Sequence, residues 1–397
     1  MKQSTERILT THVGSLPRTE SLLAANQKRD SDPEAFAAEL TRAVDDVVAR
    51  QREVGIDVVN DGEYGHATTK SQDFGSWWTY SFDRTSGLEL NPENVWDTRI
   101  AKSTPGQIVL TGMNDRRDRQ LFRAVYDDAA AVHPTTRQRP QAVAPLGYIG
   151  QEAVAADTGN LTAAMAAHGA DEGFICAIAP GAASRIGSAV HADDEAYMDD
   201  WAQVLHQEYK AITDAGLIVQ IDDPSIAENF DQIDPEPSVA DYLAFTQKRV
   251  DALNKALEGI PAEQVRFHLC WGSWNGPHTT DFPMSELVEL MLTINAQAYT
   301  FEAAGSRHEH EWEVWKDVEL PDGKLILPGV VTHHTNIVEH PRLVAQRIER
   351  FADAVGREKV IASTDCGLGG RIHPDIAWAK LGALVEGAQL ASEWLWG

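Results

Sequence analysis

Residues 266–278 read RFHLCWGSWNGPH, and the way this run ends governs how the rest of the chain is understood. Its first half is short and largely apolar, as a buried strand is, and its second half spills into Gly, Asn and Pro, which mark a loop. His268 and Cys270 are two residues apart, so in a strand their side chains leave the same face. An imidazole and a thiol side by side at a strand exit begin a metal site without completing one. Standing alone, such a pair is more often core than ligand, so the other strand exits carry the decision.

Those exits are chemically rich. The runs ILTTHV (8–13), IDVVNDGE (56–63), PQAVAP (140–145), GFICAIA (173–179), LIVQID (217–222), VRFHLC (265–270), AQAYTFE (296–302), LILPGVV (325–331) and VIASTD (360–365) all read as strands. Amphipathic helical stretches lie between most of them, such as 34–55, closed by Gly55 where a helix C-cap is expected, and 238–259. Strand–helix alternation over a whole chain predicts a parallel sheet. Ser15, Glu63, Asp222, Cys270, Glu302, His334 and Cys366 stand at or just beyond strand ends. That convergence predicts an α/β fold of the (β/α)8 TIM-barrel type, with the site at the C-terminal face. Nine candidate strands exceed the eight a barrel needs. PQAVAP is therefore read as a hairpin arm within an irregular stretch, about 64–145, that inserts over the C-terminal face. No repeat or linker divides the chain, so one domain spanning 1–397 is expected.

Composition narrows the function. With 34 basic against 60 acidic residues the net charge is −26, which disfavours nucleic acid and anionic membranes as partners. No apolar run is long enough for a membrane span, and the N-terminal MKQSTERILTTHVGS lacks the apolar stretch of a secretory signal. A cytoplasmic location is the expectation. Three cysteines in 397 residues do not read as a disulfide framework.

Glu302 closes its strand and Cys366 follows another, so His268, Cys270, Glu302 and Cys366 together offer one nitrogen, two sulfurs and a carboxylate. A borderline-soft ion such as Zn2+ takes that mixture. Cys176, inside an apolar run, reads as core.

These segments together resemble the catalytic half of cobalamin-independent methionine synthase, in a short stand-alone form; the wider family includes members similar to epoxyalkane:coenzyme M transferase. The resemblance rests on TTHVGSLPR (10–18), NDGEYG (60–65), QIDDPSIAE (220–228), HLC (268–270), FE (301–302), VTHH (331–334) and STDCG (363–367). It implies a zinc held by His268, Cys270, Glu302 and Cys366, with Glu302 the ligand best suited to yield. The metal would activate a thiol, homocysteine or a similar aminothiol, for attack on an alkyl donor. Methyl transfer is the leading expectation. Glu63 and Asp222 match positions that grip the acceptor's ammonium, and the Gly14–Ser15 backbone would face its carboxylate. His334 matches the proton donor, with His333 beside it, and Glu228 matches a carboxylate that meets the pterin of a folate donor. The bland readings are a turn cap at Asp222, a surface ion pair at Glu63 and a helix-end charge at Glu228.

The chain also departs from that pattern. Ile186 takes the position of a folate-stacking Trp, and Arg185 adds a cation beside it. Three other readings therefore stand beside methyl transfer: epoxide opening by a zinc-held coenzyme M thiolate, a barrel with a purely structural zinc, and a metal-free decarboxylase barrel. Arg307, His308 and His310 would suit a sulfonate or orient Glu302. Trp77, Trp78, Trp271 and Trp274 would wall the mouth or simply pack. The expected partners are a small thiol and an alkyl donor; a homo-oligomer is left open.

Overall fold

All nine runs read as strands form strands in the computed structural model, which describes residues 1–66, 76–91, 93, 99–128, 139–274 and 276–397. A tenth was not anticipated. In chain order they are β1 (Leu9–Thr10), β2 (Val58–Asn60), β3 (Thr85–Leu90), β4 (Pro140–Tyr148), β5 (Glu172–Ile178), β6 (Ile218–Asp223), β7 (Val265–Leu269), β8 (Ala298–Phe301), β9 (Leu325–Val331) and β10 (Ile361–Thr364). Eight of them form one sheet in the order β1-β10-β9-β8-β7-β6-β5-β2. Every pairing within it is parallel. The two ends of that order meet. Asp57 N–H donates to Thr10 O (3.1 Å), Thr10 N–H to Asp57 Oδ2 (2.9 Å) and Thr11 Oγ1 to Val58 O (3.1 Å). The sheet thus curls into the predicted (β/α)8 barrel.

The strands are apolar because both their faces are covered, as in any parallel sheet sheathed by helices. β6, β7, β8 and β9 are buried throughout. The helix Pro33–Val54 shows the sheathing pattern: Leu40, Ala43, Val44, Val47 and Val48 face inward, Asp32 caps its start, and Gly55 ends it at φ 105°. Inside the barrel lies a buried Arg266. It donates to Gln220 Oε1 (2.6 Å), Thr11 Oγ1 (3.1 Å) and His12 O (2.5 Å).

PQAVAP is the hairpin arm expected of it. β4 pairs antiparallel with β3, outside the barrel. Residues 99–128 run over the exits of β6 and β7. Thr111 N–H bonds Gln232 O (2.8 Å) and Arg117 N–H bonds Asp231 O (3.0 Å). Asp118 receives the N–H groups of His278 (3.1 Å) and Thr279 (2.9 Å). Among the described residues, no helix is long and apolar enough to cross a membrane.

Candidate metal centre and active site

At the C-terminal mouth three groups of ligating side chains stand on strand exits. The first is His268, Cys270 and Cys366, whose donor atoms all lie within 4.8 Å of one another. All three residues are buried, and neither ring nitrogen of His268 has a hydrogen-bond partner. The interaction between the two thiols pushes Cys270 up and holds Cys366 well below the usual range. One imidazole and two sulfurs make a donor set that fits a borderline-soft divalent ion. The sequence brings Cys366 here through Gly367. A Cβ on Gly367 would sit 2.8 Å from the Ser15 Cβ, so only glycine lets the β10 exit lie against the β1 exit.

The second group is Glu302, His333, His334 and Asp365, again with ligating atoms within 4.8 Å. Glu302 belongs here rather than inside the His–Cys–Cys group, yet its charge still raises the Cys270 thiol. Its Oε2 is 3.1 Å from His334 Nε2, and its Oε1 is buried with no partner. Burial pushes the Glu302 carboxyl up, but the His334 bond and the nearby imidazoles outweigh it and hold it low. Burial likewise pushes His334 down, and the bond to Glu302 reverses that. His333 differs: both its ring nitrogens lack partners, and burial and His334 lower it to about 3. Asp365 anchors the loop after β8, accepting Ala303 N–H (2.7 Å) and Ala304 N–H (2.9 Å) at Oδ1.

Glu63, Asp222 and Cys176 make the third group, within the same 4.8 Å limit. Glu63 has φ 59°, a conformation rare outside glycine, and its Oε2 is buried without a partner. Burial raises Glu63 to about 7, against the pull of Arg18 and the Cys176 thiol. Burial, then the charge of Glu63, carry Asp222 well above the carboxylate range. Cys366 adds to the rise of both, so this group and the first share one mouth. Gln220 Nε2 holds Asp222 Oδ1 at 2.7 Å and lies 3.3 Å from Cys176 Sγ. The Gly14 N–H is taken by His12 Nδ1 (3.1 Å), which leaves Ser15 as the backbone donor of that pair.

Sequence reasoning passed over three of these residues. Cys176 lies in an apolar strand, and nothing in FICAIA distinguishes an inward sulfur from core filler. Asp365 was hidden by its neighbour Cys366. Gln220 opens the QIDD motif two residues before Asp222, and that same-face spacing was the available signal.

Glu228 is paired with Arg185 at 2.9 Å, both side chains buried. Arg185 also donates to Gln232 Oε1 at 2.5 Å, and Ile186 is buried. Glu228 therefore already has a cation. His308 is clamped between Glu311 (2.8 Å) and Asp281 (3.1 Å), while Arg307 and His310 are exposed. It is His334 that bonds Glu302. Trp271 is fully buried against His308, Trp78 is buried, and Trp274 stacks on His278 beneath Arg116. The Trp77 side chain lies outside the described residues.

Comparison with known proteins extends this picture. The chain is 24% identical over 395 residues to protein YxjH of Bacillus subtilis, covering 94% of this chain and 92% of that one. It is 24% identical over 393 residues to the 5-methyltetrahydropteroyltriglutamate–homocysteine methyltransferase of Corynebacterium glutamicum, covering 97% of this chain but only 44% of that longer protein. A shorter stretch of 171 residues is 28% identical to 2-hydroxypropyl-CoM lyase of Xanthobacter autotrophicus, covering 37% and 45% of the two chains. The fold is similar to that of a B12-independent methionine synthase from Shewanella sp. W3-18-1, with a TM-score of 0.70 at 18% identity over 98% of this chain and 99% of that one. The family model for the catalytic domain of cobalamin-independent synthase matches residues 173–390, more than half of the chain and the part that carries the six strands β5 to β10 with the candidate donors from Cys176 to Cys366, so the protein belongs to the cobalamin-independent synthase family.

Proposed function

We propose that the chain is a zinc-dependent thiol alkyltransferase that methylates homocysteine or a similar aminothiol. One observation carries this reading: a soft donor set of two sulfurs and an imidazole adjoins a buried pair of carboxylates in a single mouth. His268, Cys270 and Cys366 would hold the metal, with Glu302 Oε1 as the fourth donor. Zinc bound there supplies the Lewis acidity that strips the proton from a thiol brought to it. Glu63 and Asp222 would grip the acceptor's ammonium, since two buried carboxylates repel unless a cation lies between them. That grip fixes where the acceptor's sulfur lies. The Ser15 backbone would meet the carboxylate. His334, partly exposed and bonded to Glu302, would hand a proton to the leaving group as general acid. His333 is wholly enclosed and less suited to meet a donor molecule.

The donor is the less familiar half. Pairing of Glu228 with Arg185, and Ile186 in place of an aromatic platform, favour a donor other than an unmodified folate. The similarity to 2-hydroxypropyl-CoM lyase keeps epoxide opening as the second reading. The two are separated by calorimetry on the zinc-loaded protein, with homocysteine against coenzyme M. The proposal expects homocysteine to bind at least ten times more tightly, because a sulfonate would add a further negative charge beside Glu63 and Asp222. Tight binding of coenzyme M with no homocysteine signal would overturn it.

A further inference from the structure

We propose that Glu63, Cys176 and Asp222 form a second soft-metal site on the floor of the acceptor cage, able to take a zinc- or cadmium-sized ion in place of the acceptor's ammonium. Only the overlap with the acceptor rests on the function proposed above; the site itself rests on geometry. Its donors come from β5, from β6 and from the loop after β2, and their ligating atoms lie within 4.8 Å of one another. All three residues are buried. Tetrahedral zinc bonds of roughly 2.0–2.3 Å bring ligand atoms to within about 4 Å, so small rotations would close the set on an ion.

One feature points to a ligand here. Glu63 Oε2 is buried with no hydrogen-bond partner, although a polar atom so placed is costly unless something meets it. Gly14, at φ 119°, lets the β1 exit pack closely on this group: a Cβ there would collide with both Cys176 Sγ and Glu63 Oε1. The neighbouring arginines act on these carboxylates through space and direct N–H groups at other atoms. Arg266 spends its N–H groups on Gln220, Thr11 and His12, and Arg18 donates to the backbone oxygen of Glu63 (2.6 Å). Gln220 brings only an amide to Asp222 and Cys176.

The sulfur sets the preference. Two carboxylates alone would suit Mg2+ or Ca2+, whereas a thiolate between them selects Zn2+ or Cd2+. An ion and an ammonium cannot both occupy the cage, so excess soft metal would exclude the acceptor.

The test is a titration of metal-free full-length protein with Cd2+, read by equilibrium dialysis and by sulfur-to-cadmium ultraviolet absorption. The expected result is two Cd2+ per chain, the first adding about twice the thiolate absorption of the second. Cys176→Ser should bind one Cd2+ and keep the stronger absorption, which also shows that the variant is folded. Glu63→Gln should reproduce the loss. Saturation of the unmodified chain at one Cd2+, or two Cd2+ bound by Cys176→Ser, would overturn the second site. Cys270→Ala,Cys366→Ala judges the first centre separately: it should lose the two-thiolate absorption and retain the one-thiolate ion.

Discussion

Glu63 holds a left-handed backbone with one carboxylate oxygen unmet, a combination that costs on the order of 1–3 kcal/mol in backbone strain alone. On the proposed reading a cationic ligand would offset that cost, and Asp222, whose carboxylate lies in the same group, would share it. Asp222→Asn is expected to weaken homocysteine binding by about 1.5–3 kcal/mol, the usual worth of a charged hydrogen bond. Calorimetry reads the loss, and zinc content should stay unchanged. His334→Ala is expected to lower kcat by roughly 10²–10⁴-fold with little change in acceptor affinity, because a general acid acts in the transition state. His333→Asn should leave kcat within a few-fold; a collapse there with His334→Ala unaffected would exchange the two roles. At this scale the sequence showed which candidate ligands end apolar strands, as at His268, Glu302 and Cys366; the fold gathers His268 with Cys366 and sets Glu302 beside His333, His334 and Asp365. It was not readable at Cys176. An inward sulfur and a packing sulfur have the same neighbours in sequence, and it is the parallel pairing of β2 with β5 that brings Cys176 to Glu63.

Among the elements, the loop after β7 and the 3-10 segment Glu309–Lys316 after β8 are joined by His308, buried between Asp281 and Glu311. Burial alone pushes this imidazole down, but those two carboxylates outweigh burial and carry it to about 10. Its folded value thus lies above its unfolded one, so the clamp stabilises fully below about pH 6.5 and fades as pH rises toward 10. Chemical denaturation at pH 6 and pH 9 should show the advantage of the native chain over His308→Gln shrinking at the higher pH. An advantage that grew with pH would contradict the ion-pair account. The β3–β4 hairpin has its own buried fastening, in which Arg84 meets Asp157 at 2.6 Å and also pairs with Glu208. Arg84→Met would strand two buried carboxylates and should destabilise the protein by about 3–5 kcal/mol. β4 was legible from its short apolar run; β3 was not, because TSGLEL is half-exposed and carries a glycine that reads as a turn.

For the molecule as a whole, the barrel turns a list of residues scattered from Gly14 to Cys366 into one mouth. The alternation of strands and helices made that architecture legible, since a parallel strand needs a helical crossover and a closed barrel gathers the exits. What the alternation could not convey is the cover. The bonds that lay residues 99–128 across the exits of β6 and β7 run backbone to backbone at Thr111 and Arg117 and through the Asp118 carboxylate, between segments more than a hundred residues apart, and they leave no periodic trace in sequence. Ile186 was visible in sequence as a departure from the family pattern; the Arg185–Glu228 pair beside it was not.

If the proposed function holds, a metal in the His–Cys–Cys group meets the sulfur of an aminothiol, which zinc-edge X-ray absorption on the purified chain, with and without homocysteine, would detect. The expected spectrum is that of one tightly held zinc with two sulfur neighbours, rising to three when homocysteine is added and failing to rise in the Asp222→Asn variant at the same subsaturating concentration. No bound zinc, or a zinc shell that homocysteine leaves unchanged at saturation, would overturn the proposal.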